Sequence, residues 1–443
     1  MDNYSHTMKN TLLILLITCS LCLNAQTRRI TQWWDSLAGI KAAEGLLTDT
    51  LRTGTWTEWY RNGQQESQGS YAQGVKTGEW KYWYSDGTLR LHTHIENGPC
   101  TLFHYHGTPK TLWQHKDSRI DGWLMEYDSS GLLTVKMEYK NGLRNGRSFS
   151  WFPDGNPAFE GTHLNDSLNG KAVWFRPDGG REMEGELRMD IQHGHWIFYH
   201  PNGKKGSEGD FENGNRTGVW NFWYETGELW KTGAYQDDKR QGTWTVLYEN
   251  GKKYQEGAFA DDLEEGFWQN WYETGVINYS GSFEAGRMSG TWEGWYPDGR
   301  LRYRNQYAAG IMHGKWEYYY PSGKKQYEGY YLQGEKNGLW VNYFPTGQVM
   351  SKESYSEGKK NGPSQYYEGN GLLIREQGFA NDRPEGKFVS YHPNGKKASE
   401  GAYLNGRQEG VWTYFNPAGM ITYSVLYKEG NKLKVIRDER KKQ

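Results

Sequence analysis

Gly218–Gly242, GVWNFWYETGELWKTGAYQDDKRQG, decides the fold, because the rest of the chain repeats it. With the opening glycine as position zero, a second glycine follows at position nine and the next copy starts 24 residues on. From Gly98 the opening glycine recurs without a slip at Gly122, Gly146, Gly170, Gly194, Gly218 and Gly242. It continues at Gly266, Gly290, Gly314, Gly338, Gly362, Gly386 and Gly410. Gly54 and Gly78 precede these, and the step from 78 to 98 is four residues short. The position-nine glycine is present in all sixteen copies, from Gly63 to Gly419. Such regular spacing marks one supersecondary unit stacked many times.

Each unit reads as two short strands. Position two is Trp in ten copies, and position five is aromatic in all but one, where Leu247 stands. A polar turn follows, as in Pro153-Asp154-Gly155 or Pro201-Asn202-Gly203. A second run then carries an aromatic at position seventeen in most copies, such as Phe211, Tyr235 and Phe259. Rings bounded by Asn-Gly or Asp-Gly signal strands and a hairpin turn, and each run is too short for a helix of ordinary length.

The turn sets which residues share a face. Pro occupies position seven in eight copies, where it presets φ for the second residue of a type I turn. A three-residue loop with glycine in the left-handed region follows. In that register positions five, fifteen and seventeen lie on one face, and two and six on the other. A two-residue turn would instead set the position-two Trp across from the glycine at fifteen. Position twenty is Gly in ten copies and Asp in five (Asp166, Asp190, Asp238, Asp262, Asp382). Both residue types suit a tight turn. A calcium ladder would need several oxygen ligands around each Asp, and no second carboxylate recurs at ligand spacing.

The uninterrupted period argues for one array rather than the two or three domains that 443 residues ordinarily suggest. Aromatic residues make up 16 % of the chain while Leu, Ile and Val are sparse, so rings supply the core, each burying roughly 150–250 Å². With 52 basic and 53 acidic residues the net charge is −1. That gives no basic excess for nucleic acid and no drive toward anionic membranes. No Gly-x-Ser-x-Gly elbow, phosphate loop or paired-Cys zinc spacing occurs. The acidic residues before the glycine at fifteen (Glu160, Glu184, Glu208, Glu256, Glu328, Glu400) repeat along the ladder, whereas a catalytic pair is needed once. The expectation is therefore no enzyme, no catalytic residues and no cofactor.

Residues 1–25 read as a signal peptide: Lys9 precedes an apolar run from Leu12 to Leu23, and Leu23-Asn24-Ala25 offers a cleavage site before Gln26. The expected product is exported, to periplasm, cell surface or medium. A lipoprotein reading would use Cys19 or Cys22, whose preceding Thr18 and Leu21 suit it poorly. Residues 26–53 read as a degenerate N-terminal capping repeat, since Gly39, Gly45 and Gly54 keep the steps of Gly227, Gly233 and Gly242. The alternative is an amphipathic helix through Trp33, Leu37, Ile40 and Leu47. Residues 54–433 are the tandem array. Residues 434–443 are a short basic tail, with Lys434–Arg437 placed to begin a further strand.

One patch departs from the pattern. His92, His94, His104, His106 and His115 cluster around the short step. His92/His94 and His104/His106 are two H-x-H pairs whose members share a face, so across a hairpin near Gly98 they are candidate metal ligands, with Cys100 as an extra donor. The plainer reading, in which no metal is assigned, has His replacing Tyr at ring positions, as at His200 and His392.

The unit G-x-W-x-x-W-Y-x-x-G-x-x-x-x-x-G-x-[YF]-x-x-G-x-x-x-G resembles the MORN repeat, closest to the variant of exported bacterial and antitoxin-annotated proteins. The resemblance covers residues 54–433. It implies an elongated all-β array of about 16–17 hairpins, as an open twisted sheet or superhelix, used for scaffolding or dimerisation. Two functions follow as expectations. One is a non-catalytic scaffold that binds a protein through an extended β surface and variable inter-hairpin loops, an antitoxin-like role being a special case and self-association compatible with it. The other is a glycan or cell-envelope binder that stacks sugars on exposed rings.

Overall fold

A computed structural model describes residues 26–440. The expected signal peptide, 1–25, lies outside the described residues, as do the last three. The described residues form thirty-six strands and no helix. They divide into two compact units. One runs to Leu168 and includes Pro177–Gly179, and the other holds Asn169–Arg176 and everything from Gly180 onward. Within each unit, strands consecutive in sequence pair antiparallel.

In the reference copy the strands are Asn215–Trp223 and Leu229–Gln236. Between them the Gly227 amide donates to the Tyr224 carbonyl at 2.9 Å, and the Tyr224 amide donates to the Glu228 carbonyl at 2.9 Å. Gly227 has φ +94°. This is the expected three-residue loop, a type I turn closed by a left-handed glycine.

The register beyond the loop differs from the expectation. Trp223 faces Leu229, but the next pair is Phe222 with Lys231, leaving Trp230 as an extra residue. That β-bulge flips the parity of the strand. Trp220 then stands opposite Gly233, and Gly218 opposite Tyr235. Positions two, four, thirteen, fifteen and seventeen therefore share one face, and position five lies on the other. The same shift recurs in other copies, at Glu58/Trp59, Asn270/Trp271, Tyr318/Tyr319 and Ser390/Tyr391.

A second bulge joins successive hairpins. Glu208 pairs with Asn221 and Asp210 with Thr217, so Gly218, Val219 and Trp220 bow out opposite Gly209. Gly218 takes φ +65° to do so. The connection itself is tighter than expected. In place of a variable inter-hairpin loop, the stretch Glu212–Thr217 holds a two-residue turn of Asn213 (φ 50°) and Gly214 (φ 84°), with strand on either side. Positive φ at both central residues defines a type I′ turn, whose twist matches that of the strands. Asp237–Gln241 and Ala285–Ser289 shrink likewise to Asp237–Asp238 and Ala285–Gly286.

At the N-terminus Thr27–Asp35 pairs with Ile40–Thr48 as a hairpin rather than forming a helix. At the other end Asn431–Asp438 pairs with Ile421–Lys428, so Lys434–Arg437 is strand and not free tail.

Candidate binding surface

The two faces of the sheet have different chemistry. On the first, nine of the ten position-two Trp residues lie over the position-fifteen glycine of the preceding hairpin, the tenth, Trp316, facing Asn305 instead. Trp220 covers Gly209 and donates from Nε1 to the Asp210 carbonyl at 3.2 Å. Trp244 does the same over Gly233 and Ala234, and Trp268 over Gly257 and Ala258. Rings at position seventeen meet these indoles edge-on: Phe211–Trp220 at 5.1 Å, Tyr235–Trp244 at 5.0 Å, Phe259–Trp268 at 5.0 Å and Phe283–Trp292 at 5.0 Å. Edge-to-face contact of this kind adds about 0.5–1.5 kcal/mol per pair beyond area burial. All ten indoles are buried, the most exposed being Trp316 at 8 %.

Cations at position twenty-two cap the rings. The Arg216 guanidinium sits 4.0 Å from the Tyr235 ring centre, Arg240 lies 3.8 Å from Phe259, and Lys336 lies 4.3 Å from Trp340. Arg216 and Arg240 are in turn held through Nε by Asp238 and Asp262, each at 2.8 Å. The position-twenty Asp residues thus serve turns, with Asp238 at φ 65° and Asp262 at φ 69°. An open groove of about 410 Å³ on this face is lined by Trp230, Lys231, Tyr235, Arg240, Trp244 and Phe259. Burial, together with the nearby Arg240 and Arg216, holds the Lys231 ammonium below the ordinary lysine range.

The second face is charged. Lys205 and Glu208 pair at 2.6 Å, Lys253 and Glu256 at 2.7 Å, and Lys397 and Glu400 at 2.7 Å. The rings of position five lie among these pairs: Tyr199 donates to Glu184, Tyr343 to Glu328 and Tyr391 to Glu376. Along the edge with the three-residue loops, position-six rings staple each repeat to the next. Tyr224 donates to the Leu247 carbonyl, Tyr248 to Trp271 and Tyr272 to Trp295, all at 2.8–2.9 Å.

The histidines divide between these roles. His104 and His106 are in the loop of their hairpin, beyond the strand Gly98–Phe103. Their Nε2 atoms lie 3.1 Å from the Tyr127 carbonyl and 3.3 Å from the Ser129 carbonyl. His104 therefore takes the place of a stapling Tyr, as His200 and His392 do. The two H-x-H pairs do not meet. His92 and His94 instead come together with Glu79, a residue the sequence reading did not select. Cys100 is excluded from that group because position two faces the other way. It is buried against Thr93, with Sγ 3.0 Å from Oγ1, and its Sγ lies 3.6 Å from His115 Nδ1.

The Trp-on-glycine contact was also missed, although a signal exists in the spacing. Gly209 and Trp220, Gly233 and Trp244, and Gly257 and Trp268 all stand eleven residues apart. Elsewhere both the indole and the glycine are lost together, as where Cys100 goes with Thr93, Leu124 with Trp113, Ser148 with Met137 and Ser364 with Glu353, whereas Ala172 keeps Gly161 and Trp316 faces Asn305.

Fold and surface define an all-β tandem array whose repeats are locked to one another by aromatic rings. The family model for the MORN repeat variant matches residues 52–73, 76–97, 192–213, 312–333, 336–357 and 384–405. Those six segments are MORN repeats of the variant type, and MORN repeats serve generally in binding and protein interaction. No curated protein matches it. Among solved structures it is similar to a crystal structure of TcdB2-TccC3, with 10% identity, TM-score 0.15, and coverage of 93% of this chain and 26% of that one. It is similar also to the Photorhabdus luminescens Tc holotoxin pore, with 12% identity, TM-score 0.14, and coverage of 91% and 25%. The chain spans about a quarter of the length of those chains, and likeness at such TM-scores adds nothing to the reading of this fold.

Proposed function

We propose that the protein is an exported, non-catalytic scaffold that binds a protein partner along several consecutive repeats. The observation that supports this reading over glycan stacking is the burial of all ten position-two indoles, from 0 to 8 % exposed. A sugar platform needs ring faces open to solvent, and here nine of the ten faces cover glycines and the tenth lies against Asn305. What remains open is the charged face, the cation-rimmed groove around Lys231 and scattered partly exposed rings such as Trp230, Phe267 and Tyr330. Quasi-one-dimensional arrays commonly recognise partners over such extended surfaces. Export rests on the signal-peptide features of residues 1–25.

The test is capture from an envelope fraction with the chain beginning at Gln26, repeated with whole 24-residue units removed. Stepwise loss of one captured protein as units are deleted supports the scaffold. Specific retention on an insoluble glycan, lost when Trp230 becomes Ala, moves the assignment to a glycan binder. Hydrolysis or group transfer abolished by one substitution overturns it.

A further inference from the structure

We propose that Glu79, His92 and His94 form a binding site for one divalent transition metal of the zinc class, on the charged face of the hairpin that precedes the short step. Their ligand atoms all lie within 4.8 Å of one another. The hairpin register pairs Glu79 with His94 and Lys81 with His92, so strand alternation points all three side chains to one side. Two imidazoles and a carboxylate are a recurrent zinc donor set, with a fourth position left for water or another ligand. Glu79 is half exposed, which leaves that position accessible.

Two details favour a metal over a plain ion pair. His92 Nε2 is a buried atom without a hydrogen-bond partner. Glu79 Oε1 lies 2.7 Å from it, a close approach that lacks the alignment of an N–H···O bond. A divalent cation held by both groups would serve the ring nitrogen and the carboxylate together. His94 Nδ1, in turn, is 2.8 Å from the Pro99 carbonyl. That contact puts the proton on Nδ1 and leaves the Nε2 lone pair for coordination, the outer-shell arrangement typical of metal-bound histidine. The four-residue shortening between Gly78 and Gly98 brings the Pro99 carbonyl to His94. A β-carbon on Gly98 would stand 2.7 Å from the His94 ring, so the glycine there makes room for the imidazole. Lys81 Nζ, 3.0 Å from Glu79 Oε1, is the cation that a metal must displace.

Calorimetric titration of the full chain with Zn²⁺ at neutral pH tests this, together with the absorption spectrum of the Co²⁺ form. The expected result is one saturable site with a tetrahedral Co²⁺ spectrum. His92→Gln or His94→Gln should weaken it by roughly ten- to a hundredfold or more, as ligand-shell changes do. Lys81→Met should tighten it, and His104→Gln with His106→Gln should leave it unchanged. Circular dichroism of the glutamine variants confirms that they fold, and ring-nitrogen chemical shifts of His92 and His94 in the wild-type chain report coordination without any substitution. Absence of saturable binding, or binding that survives loss of both His92 and His94, overturns the proposal.

Discussion

The indole of Trp220 lies so close over Gly209 that a β-carbon built on the glycine would stand 2.3 Å from Cδ2. The same relation ties Trp244 to Gly233 at 2.1 Å and Trp412 to Gly401 at 2.3 Å. Position fifteen is glycine because an indole occupies the space of its side chain.

Gly209→Ala should therefore destabilise the array locally by about 1–3 kcal/mol, the usual cost of overpacking a filled site. The measure is amide exchange in strands 205–212 and 215–223, since a repeat array need not unfold in one step. Adding Trp220→Leu, on the pattern of Leu124 facing a non-glycine, should recover part of the loss. A double-mutant cycle with no coupling would contradict the packing described.

Gly227→Val should disturb only its own hairpin. Gly227 sits at φ +94°, a region a β-branched residue resists at a cost of about 1–3 kcal/mol. Its β-carbon would also come within 3.2 Å of Lys204 Cδ. Exchange should rise at 224–228 and stay unchanged several repeats away. Uniform loss of protection would show the array to be more cooperative than its contacts suggest.

Deleting residues 218–241 should leave a folded array, because Trp244 then falls eleven residues after Gly209 and takes over the contact of Trp220. Deleting 218–229 places Thr232 there instead and should expose the bare glycine and its neighbouring rings. Trp fluorescence and thermal melting of the two deletions distinguish these outcomes, the shorter deletion being the more damaging.

Stability should fall at both extremes of pH. At Glu317 burial works to raise the carboxyl pKa, but hydrogen bonds from Lys315 and Lys325 outweigh it and hold the value below the ordinary range. A lowered carboxyl pKa contributes stability above the unfolded value of about 4.3, and that contribution is lost as pH drops through the folded value. Burial pushes the Tyr303 hydroxyl up to about 12, and burial with Glu353 does the same for Tyr355. A raised phenol pKa contributes stability below the unfolded value of about 10, lost as pH climbs through the folded value. Urea midpoints across the acid range, with Glu317→Gln flattening the acid limb, check the first. A delayed phase in the phenolate titration checks the second.

The period, the strands and the three-residue loop were legible because each depends on residues adjacent in sequence: Pro177 at the second position of its turn, or Gly227 at the left-handed one. The facing of the rings was not, because it depends on the extra residue at Trp230. A bulge of this kind carries no compositional mark, and one uncounted residue moves every side chain beyond it to the other face. The histidine patch was half legible. His92 and His94 stand out as a pair, but Glu79 joins them only through the register of the opposite strand. His104 stands six residues after Gly98, as His200 does after Gly194, so its place in the turn was legible from its own repeat.

The backward reach of each indole gives the array a direction. Gly45 of the first hairpin is covered by Trp56 of the second, and the same relation recurs at eight later pairs, the last being Gly401 beneath Trp412. At each of these pairs a chain made from its N-terminus ends for a moment in one uncovered glycine, and the ring that seals it is eleven residues behind in synthesis. Each hairpin is finished by its successor within a few residues of emerging, so little apolar surface is ever left waiting, however many repeats are added.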